Sequence, residues 1–205
     1  MNNLDNFVIT ISREFGSGGR KVGEQLAGEL GIAFYDKSLI HLAVGKSGLD
    51  PLTIEKAEEE ASNKFLFNLA IGGYASAGVF APLNVPLSDQ VFFAQSKVIE
   101  EIAEQGSCVI IGRCANYVLR GHPCRVSVFV YGEMRDRVRR VAEEFGVTEA
   151  EAEARITRMD KGRANYHEHY TEQKWGSAKI YHLAVNTSFT GIDGAVRVIR
   201  ALVRR

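Results

Sequence analysis

At 205 residues the chain is long enough to bury a substantial core within one large domain. Its 25 basic and 25 acidic residues cancel, which argues against a protein drawn to nucleic acid or a membrane surface by bulk charge. Cys108, Cys114 and Cys124 are odd in number and lack a C-x-x-C pair, so neither a disulfide framework nor a thiolate zinc site is indicated.

The first predicted element is an apolar strand, Phe7–Ile11, which runs into the glycine-rich turn Gly16-Ser17-Gly18-Gly19 and then into a helix over Gly19–Leu30. In that helix Val22, Leu26 and Leu30 recur at four-residue spacing. Strand, glycine loop and helix N-terminus together form an anion cradle, because glycines let backbone amides converge and the first helical turn adds positive potential. Arg13, Arg20 and Lys21 flank the cradle with cationic side chains. The usual phosphate-loop pattern, G-x-x-x-x-G-K-[ST], is only partly kept. With Gly19 as the second glycine, Glu14 stands at the first, Arg20 at the lysine and Lys21 at the Mg²⁺-binding hydroxyl. Arg can grip phosphate as a planar fork, while loss of the hydroxyl leaves the metal ligand open.

Further short apolar runs at Ala33–Tyr35, Cys108–Ile111, Val126–Tyr131 and Leu183–Val185 read as strands, several of them apolar on both faces as in a buried parallel sheet. Helical patterns lie between them at Ser88–Gln105 and Glu133–Phe145. A capping box, Thr148-Glu149-Ala150-Glu151, opens another helix through about Met159, and Thr190-Gly191-Ile192-Asp193 opens the last. Alternating strands and helices predict an α/β fold, with a parallel sheet, helices on both faces and the site at the carboxyl ends of the strands. Two segments interrupt the rhythm. Residues 49–87 read as an acidic helical insertion on the acceptor side, and residues 158–179 as a polar, aromatic, lid-like region without clean period. No repeat or linker divides residues 1–205.

Charge is unevenly distributed. Between Ser47 and Ile110 nine acids outnumber three lysines, whereas between Arg113 and Arg163 ten arginines and a lysine outnumber eight acids. An arginine-rich half suits binding of small polyanions at one site, and solvated helix faces account for many of the same charges. Asp36 follows the second strand, where it equally suits the N-cap of a helix over Lys37–Val44. His167-Glu168-His169 has no further ligand pattern, so no metal site is expected there, and Tyr166, Tyr170 and Trp175 read as packing residues. The polar start and the lack of a membrane-length apolar run make the cytoplasm the default expectation.

These pieces together resemble the cytidylate kinase-like branch of the P-loop nucleoside monophosphate kinases. Ile9–Ser12 through Tyr35-Asp36 is similar to that family's first βαβ unit, with I-S-R-E-x-G-S-G-G-R in place of the standard loop. Val109–Arg113 resembles its next core strand and following Gly-Arg, and Val126–Arg140 the strand and helix leading to its lid. Asn186-Thr187-Ser188 with Gly191-Ile192 resembles its last strand and helix. The resemblance implies ATP- and Mg²⁺-dependent γ-phosphoryl transfer to a nucleoside monophosphate, CMP or dCMP by analogy. It implies that Arg13, Gly16, Ser17, Gly18, Gly19, Arg20 and Lys21 hold the donor phosphates and that Asp36 and Arg113 hold the acceptor. Arg20, Arg137, Arg158, Asp160 and Arg163 would act on the transferring phosphate, with Arg140 beside Arg137 on its helix. The family's Asp after Gly-Arg is Cys114 here, which leaves a kinase for another small acceptor as an alternative. The altered loop leaves a nucleotide-binding module without turnover as a second, and a bare scaffold as a third. A homo-oligomer is compatible with all of them.

Overall fold

The computed structural model describes residues 6–37 and 86–203. The acidic insertion and the helix expected after Asp36 therefore lie, but for their edges, outside the described residues.

Five parallel strands form one sheet in the order β2-β3-β1-β4-β5: β1 Val8–Arg13, β2 Ala33–Tyr35, β3 Cys108–Ile111, β4 Arg125–Tyr131 and β5 Leu183–Asn186. β1 is central, pairing Val8 to Ile11 with Cys108 to Ile111 on one side and Val8 to Arg13 with Arg125 to Val130 on the other. Its apolar residues serve both faces. Ile9 and Ile11 pack with Val22 and Leu26 of α1 (Gly19–Leu30) and with Val196 and Ile199 of α6 (Thr187–Val203). Val8 faces the other way, against Val91, Val98 and Ile99 of α2 (Leu87–Gln105) and Ala115 of the short α3 (Ala115–Val118). A strand buried on both faces needs this continuous apolar run, as the sequence predicts.

A smaller core lies beyond the sheet edge. Val138 and Val141 of α4 (Met134–Phe145) pack on Ala152 and Ile156 of α5 (Glu149–Thr171), with Phe15 of the glycine loop against them. The capping box forms at the start of α5: Glu151 N donates to Thr148 Oγ1 at 3.3 Å and Thr148 N to Glu151 Oε2 at 2.9 Å. α5 does not stop near Met159 but continues to Thr171, so much of the region expected to be aperiodic and lid-like is regular helix. Its second half is held by tertiary contacts rather than by amphipathic period. Phe92 of α2 stacks on Tyr170 at 4.0 Å with an interplanar angle of 2°, and Tyr166 Oη donates to Gln95 at 3.2 Å. Gly191 (φ 65°) breaks α6 after its first turn, which places the main helix start where the sequence predicts it. Among the described residues no helix is long and apolar enough to cross a membrane.

Candidate functional site

The loop after β1 opens at the carboxyl edge of the central strand, where a parallel sheet collects its ligands. Gly16 has φ 74°, and a Cβ there would lie 2.8 Å from Val141 Cγ2 and 2.9 Å from the Arg137 carbonyl, so the loop can pass α4 only as glycine. Gly18, also left-handed (φ 79°), caps α1. Ser17 is fully buried and donates from Oγ to the Glu14 carbonyl at 2.8 Å, which tightens the turn from within.

Behind the loop, α4 and α5 grip its backbone through a network of opposite charges. Arg137 is 6% exposed; its Nη1 donates to Asp160 Oδ2 at 2.6 Å and to the Phe15 carbonyl at 3.3 Å, and its Nε lies 3.4 Å from Glu14 Oε2. Asp160 Oδ1 accepts the Phe15 amide at 2.7 Å, and Glu14 Oε2 accepts the Gly132 amide at 3.1 Å. Burial raises the Glu14 pKa, against the Gly132 hydrogen bond and the Arg137 charge that lower it. Arg140 donates to the Gly16 carbonyl at 3.3 Å and to Thr187 Oγ1 at 3.2 Å, while Thr187 donates onward to the Ser17 carbonyl at 2.7 Å. The carboxylate at the first glycine position of the pattern is thus a tether, and it ties the loop to the start of α4.

The front differs. Arg13 ends β1 with its guanidinium against Gly112, which has φ 74° and no side chain to obstruct it. Burial first, then the charges of Arg163 and Arg113, lower the Arg13 pKa well below its usual value, against opposing contributions from Asp36 and Asp160. Arg163 donates to the Arg13 carbonyl at 3.0 Å and lies 3.8 Å from Asp160 Oδ1. Its own pKa is lowered by burial and by Arg113 and Arg137, with Asp160 opposing. Arg113 follows β3 in a left-handed conformation (φ 56°), as does Cys114 (φ 53°), and sits 5.9 Å from the Tyr166 ring centroid. Consecutive left-handed residues without glycine are a strained arrangement that recurs at ligand sites. Three guanidiniums gathered at the strand ends form a cluster whose positive charge its acids only partly oppose.

The other expected site residues spread around this cluster. Arg20 is largely exposed and turned aside, pairing with Asp36 Oδ2 at 3.0 Å and Glu24 Oε2 at 3.0 Å. Lys21 and Arg158 are exposed on α1 and α5. Asp36 is mostly covered at the end of β2. Cys114 is buried, and burial pushes its thiol pKa up to about 12, so it is a neutral thiol where the family pattern has a carboxylate. His167 is a buried structural residue, its Nδ1 3.1 Å from the Gln173 carbonyl and its Nε2 3.4 Å from Asn116 Nδ2. No cluster of three metal-ligating side chains occurs among the described residues. Glu14, Phe15 and Thr187 were not expected in the site. Only Glu14 carried a signal, an acid among glycines.

Residues 8–189 match the cytidylate kinase-like family. The chain belongs to that family. It is also similar to the crystal structure of an uncharacterized protein from Eubacterium ventriosum, at 30% identity and a TM-score of 0.74, over 97% of this chain and 98% of that one. The same fold occurs in shikimate kinase from Bacteroides thetaiotaomicron, at 13% identity and a TM-score of 0.56, over 98% of this chain and all of the other. It occurs too in a gluconokinase from Sinorhizobium meliloti, at 16% identity and a TM-score of 0.53, over 97% and 91% of the two chains. No curated protein matches. The sheet, with strand order β2-β3-β1-β4-β5, is that of P-loop kinases.

For a member of this family the implied groups are ATP and Mg²⁺. The residues fit a polyphosphate: a glycine loop at a helix N-terminus faces three guanidiniums that raise one another's cost of burial. They do not fit a Mg²⁺ ion held by the loop. Lys21 occupies the hydroxyl position, the Ser17 hydroxyl is buried on the Glu14 carbonyl, and Asp36 and Asp160 are bound to arginines.

Proposed function

We propose that this protein is a kinase that transfers the γ-phosphoryl group of ATP to a nucleoside monophosphate, with CMP and dCMP the first acceptors to test. The observation that carries this reading is the Arg13–Arg113–Arg163 cluster beside the glycine loop at the carboxyl edge of the sheet. Charge in phosphoryl transfer spreads over the transferring oxygens, so catalysis consists mainly of positioning and charge stabilisation. Gly16 to Gly19 and the first amides of α1 cradle the donor phosphates. Arg13 and Arg163 neutralise the transferring group, and Arg113, on the strand nearer β2, holds the acceptor phosphate. Asp36, paired with Arg20 before the nucleotide binds, orients the acceptor beside it. Arg137 and Asp160 are positioning residues: they fix the backbone of Phe15 and so the curvature of the loop. Arg20, Lys21 and Arg158 reach phosphate by rotating away from their present positions.

A second reading, a kinase for a different small acceptor, is favoured by one observation: the neutral Cys114 thiol beside Arg113. ADP formation from Mg-ATP with CMP, dCMP, UMP, AMP, GMP and no acceptor separates the readings. Turnover with CMP or dCMP alone supports the first. ATP binding without turnover on any of the five moves the weight to another acceptor or to a binding module. No ATP binding at all contradicts every nucleotide reading.

A further inference from the structure

A second polar site lies at the opposite edge of the sheet. A cavity of about 230 Å³ opens beside the amino-terminal ends of β4 and β5. Its polar lining includes Asn116, Arg120, Arg125, Gln173, Lys179 and His182, and among the described residues no carboxylate lines it. Arg125 pairs with Val8 at the start of β1, whereas Arg13 ends that strand five residues later. The cavity is therefore about 16 Å from the glycine loop along the strand, at an extended rise of about 3.3 Å per residue.

Three buried polar atoms of residues at this cavity lack a hydrogen-bond partner, Tyr181 Oη among them. Arg125 donates from Nη1 to the Asn116 carbonyl, but its Nε is buried and unpaired. Asn116 is 3% exposed; its amide nitrogen meets His167, and its Oδ1 is buried without a donor. Leaving a buried donor and a buried acceptor unpaired is costly, and a ligand that supplies both partners removes the cost. His182 Nδ1 accepts the Ser127 amide at 3.1 Å, so the neutral ring keeps its proton on Nε2, where it is a donor. Partial burial and the nearby Arg125 charge lower the His182 pKa. Burial lowers that of Arg125.

We infer that this cavity is a binding site for a small oxyanion, a carboxylate or phosphate, that also carries a hydroxyl or amino donor. The oxyanion meets Arg125, with Arg120, Lys179 and His182 at its rim, and the donor meets Asn116 Oδ1. A cation-lined cavity without a carboxylate selects for negative charge, and the orphaned acceptor selects among anions. The site shares no residue with the glycine loop or its arginine cluster.

The His182 ring is a local reporter. NMR titration of the full chain with L-malate, succinate and inorganic phosphate should move its resonances saturably and raise its pKa by about one unit, as a bound anion favours the imidazolium. Malate should bind more tightly than succinate; equal binding would remove Asn116 from the site. Arg125→Gln should weaken the response about tenfold, the loss of one charge-assisted contact. Lys179→Ala, at an exposed position that leaves folding undisturbed, should weaken it by about threefold through rim charge alone. Arg13→Gln should leave it intact. A linear, unsaturated shift, or an equal response in Arg125→Gln, would mean that the cavity holds only ordered water. Loss of the response in Arg13→Gln would place the anion on the glycine loop instead.

Discussion

Arginines crowd both sides of the glycine loop, yet the two sides are built on opposite electrostatic plans. Behind the loop, Arg137 meets Asp160 at 2.6 Å and Glu14 at 3.4 Å, and the acids in turn accept the Phe15 and Gly132 amides. Charge there is matched and largely covered, and each carboxylate accepts a backbone amide. In front, Arg13, Arg113 and Arg163 face one another, and the pKa values of Arg13 and Arg163 are lowered in consequence. A network of paired opposite charges holds shape, while a cluster of like charges is set to receive a counter-charge. The difference separates arginines that the sequence alone groups together.

The largest expected effect is at the rear. Arg137→Ala leaves the partly buried Glu14 without its cation and Asp160 with only Arg163 at 3.8 Å, which should cost about 3 kcal/mol of stability and lower Tm by roughly 6–12 °C. Calorimetry on the purified variant checks this, and a Tm change below about 2 °C would show that the rear network does not hold the loop. Next comes the cap of α5, the helix that serves both regions. Thr148→Ala should cost about 1 kcal/mol, read from the urea midpoint at neutral pH. The Glu151 pKa is lowered by its bonds to Thr148, so the carboxylate half of the box is formed at neutral pH and is lost as pH falls through the carboxylate range.

His167 on the same helix gives a pH test. Burial lowers its folded pKa, so the unfolded chain takes up a proton first. Stability is therefore full above the usual histidine pKa of about 6.5 and falls as pH drops below it. His167→Gln should flatten that part of the Tm profile, and an unchanged slope would assign it to other groups. The smallest effect is at Arg20, which stands at the front but already pairs with Asp36 and Glu24. Arg20→Ala should change stability by less than about 1 kcal/mol, as exposed ion pairs do. A larger loss would sharpen the comparison by moving Arg20 into the matched group.

The sheet was legible in the sequence because each strand is an apolar run bounded by turn residues, and burial on both faces leaves no other use for such runs. The start of α5 was legible for a local reason, the Thr148–Glu151 box. Its end was not, since Tyr166 and Tyr170 are held by Phe92 and Gln95, which are more than seventy residues away in sequence. The glycine loop was legible as a turn between strand and helix, while the roles proposed for the residues around it came from the family resemblance. Which way each arginine turns could not be read, because Arg137 and Arg140 share a helix with exposed Arg135 and Arg139 and differ only in what the fold sets against them. Glu14 is the instructive case: as a departure from the phosphate-loop pattern it suggests a damaged site, and in three dimensions it ties the loop to Gly132 and Arg137.

The most direct test of the front–rear division is Arg13→Gln, measured for Mg-ATP affinity by calorimetric titration and for Tm in the same preparation. The account predicts affinity at least tenfold weaker, since a charge-assisted phosphate contact is lost, with Tm unchanged or higher because a buried like charge is removed. Unaltered affinity, or a Tm that falls as far as that of Arg137→Ala, would contradict it.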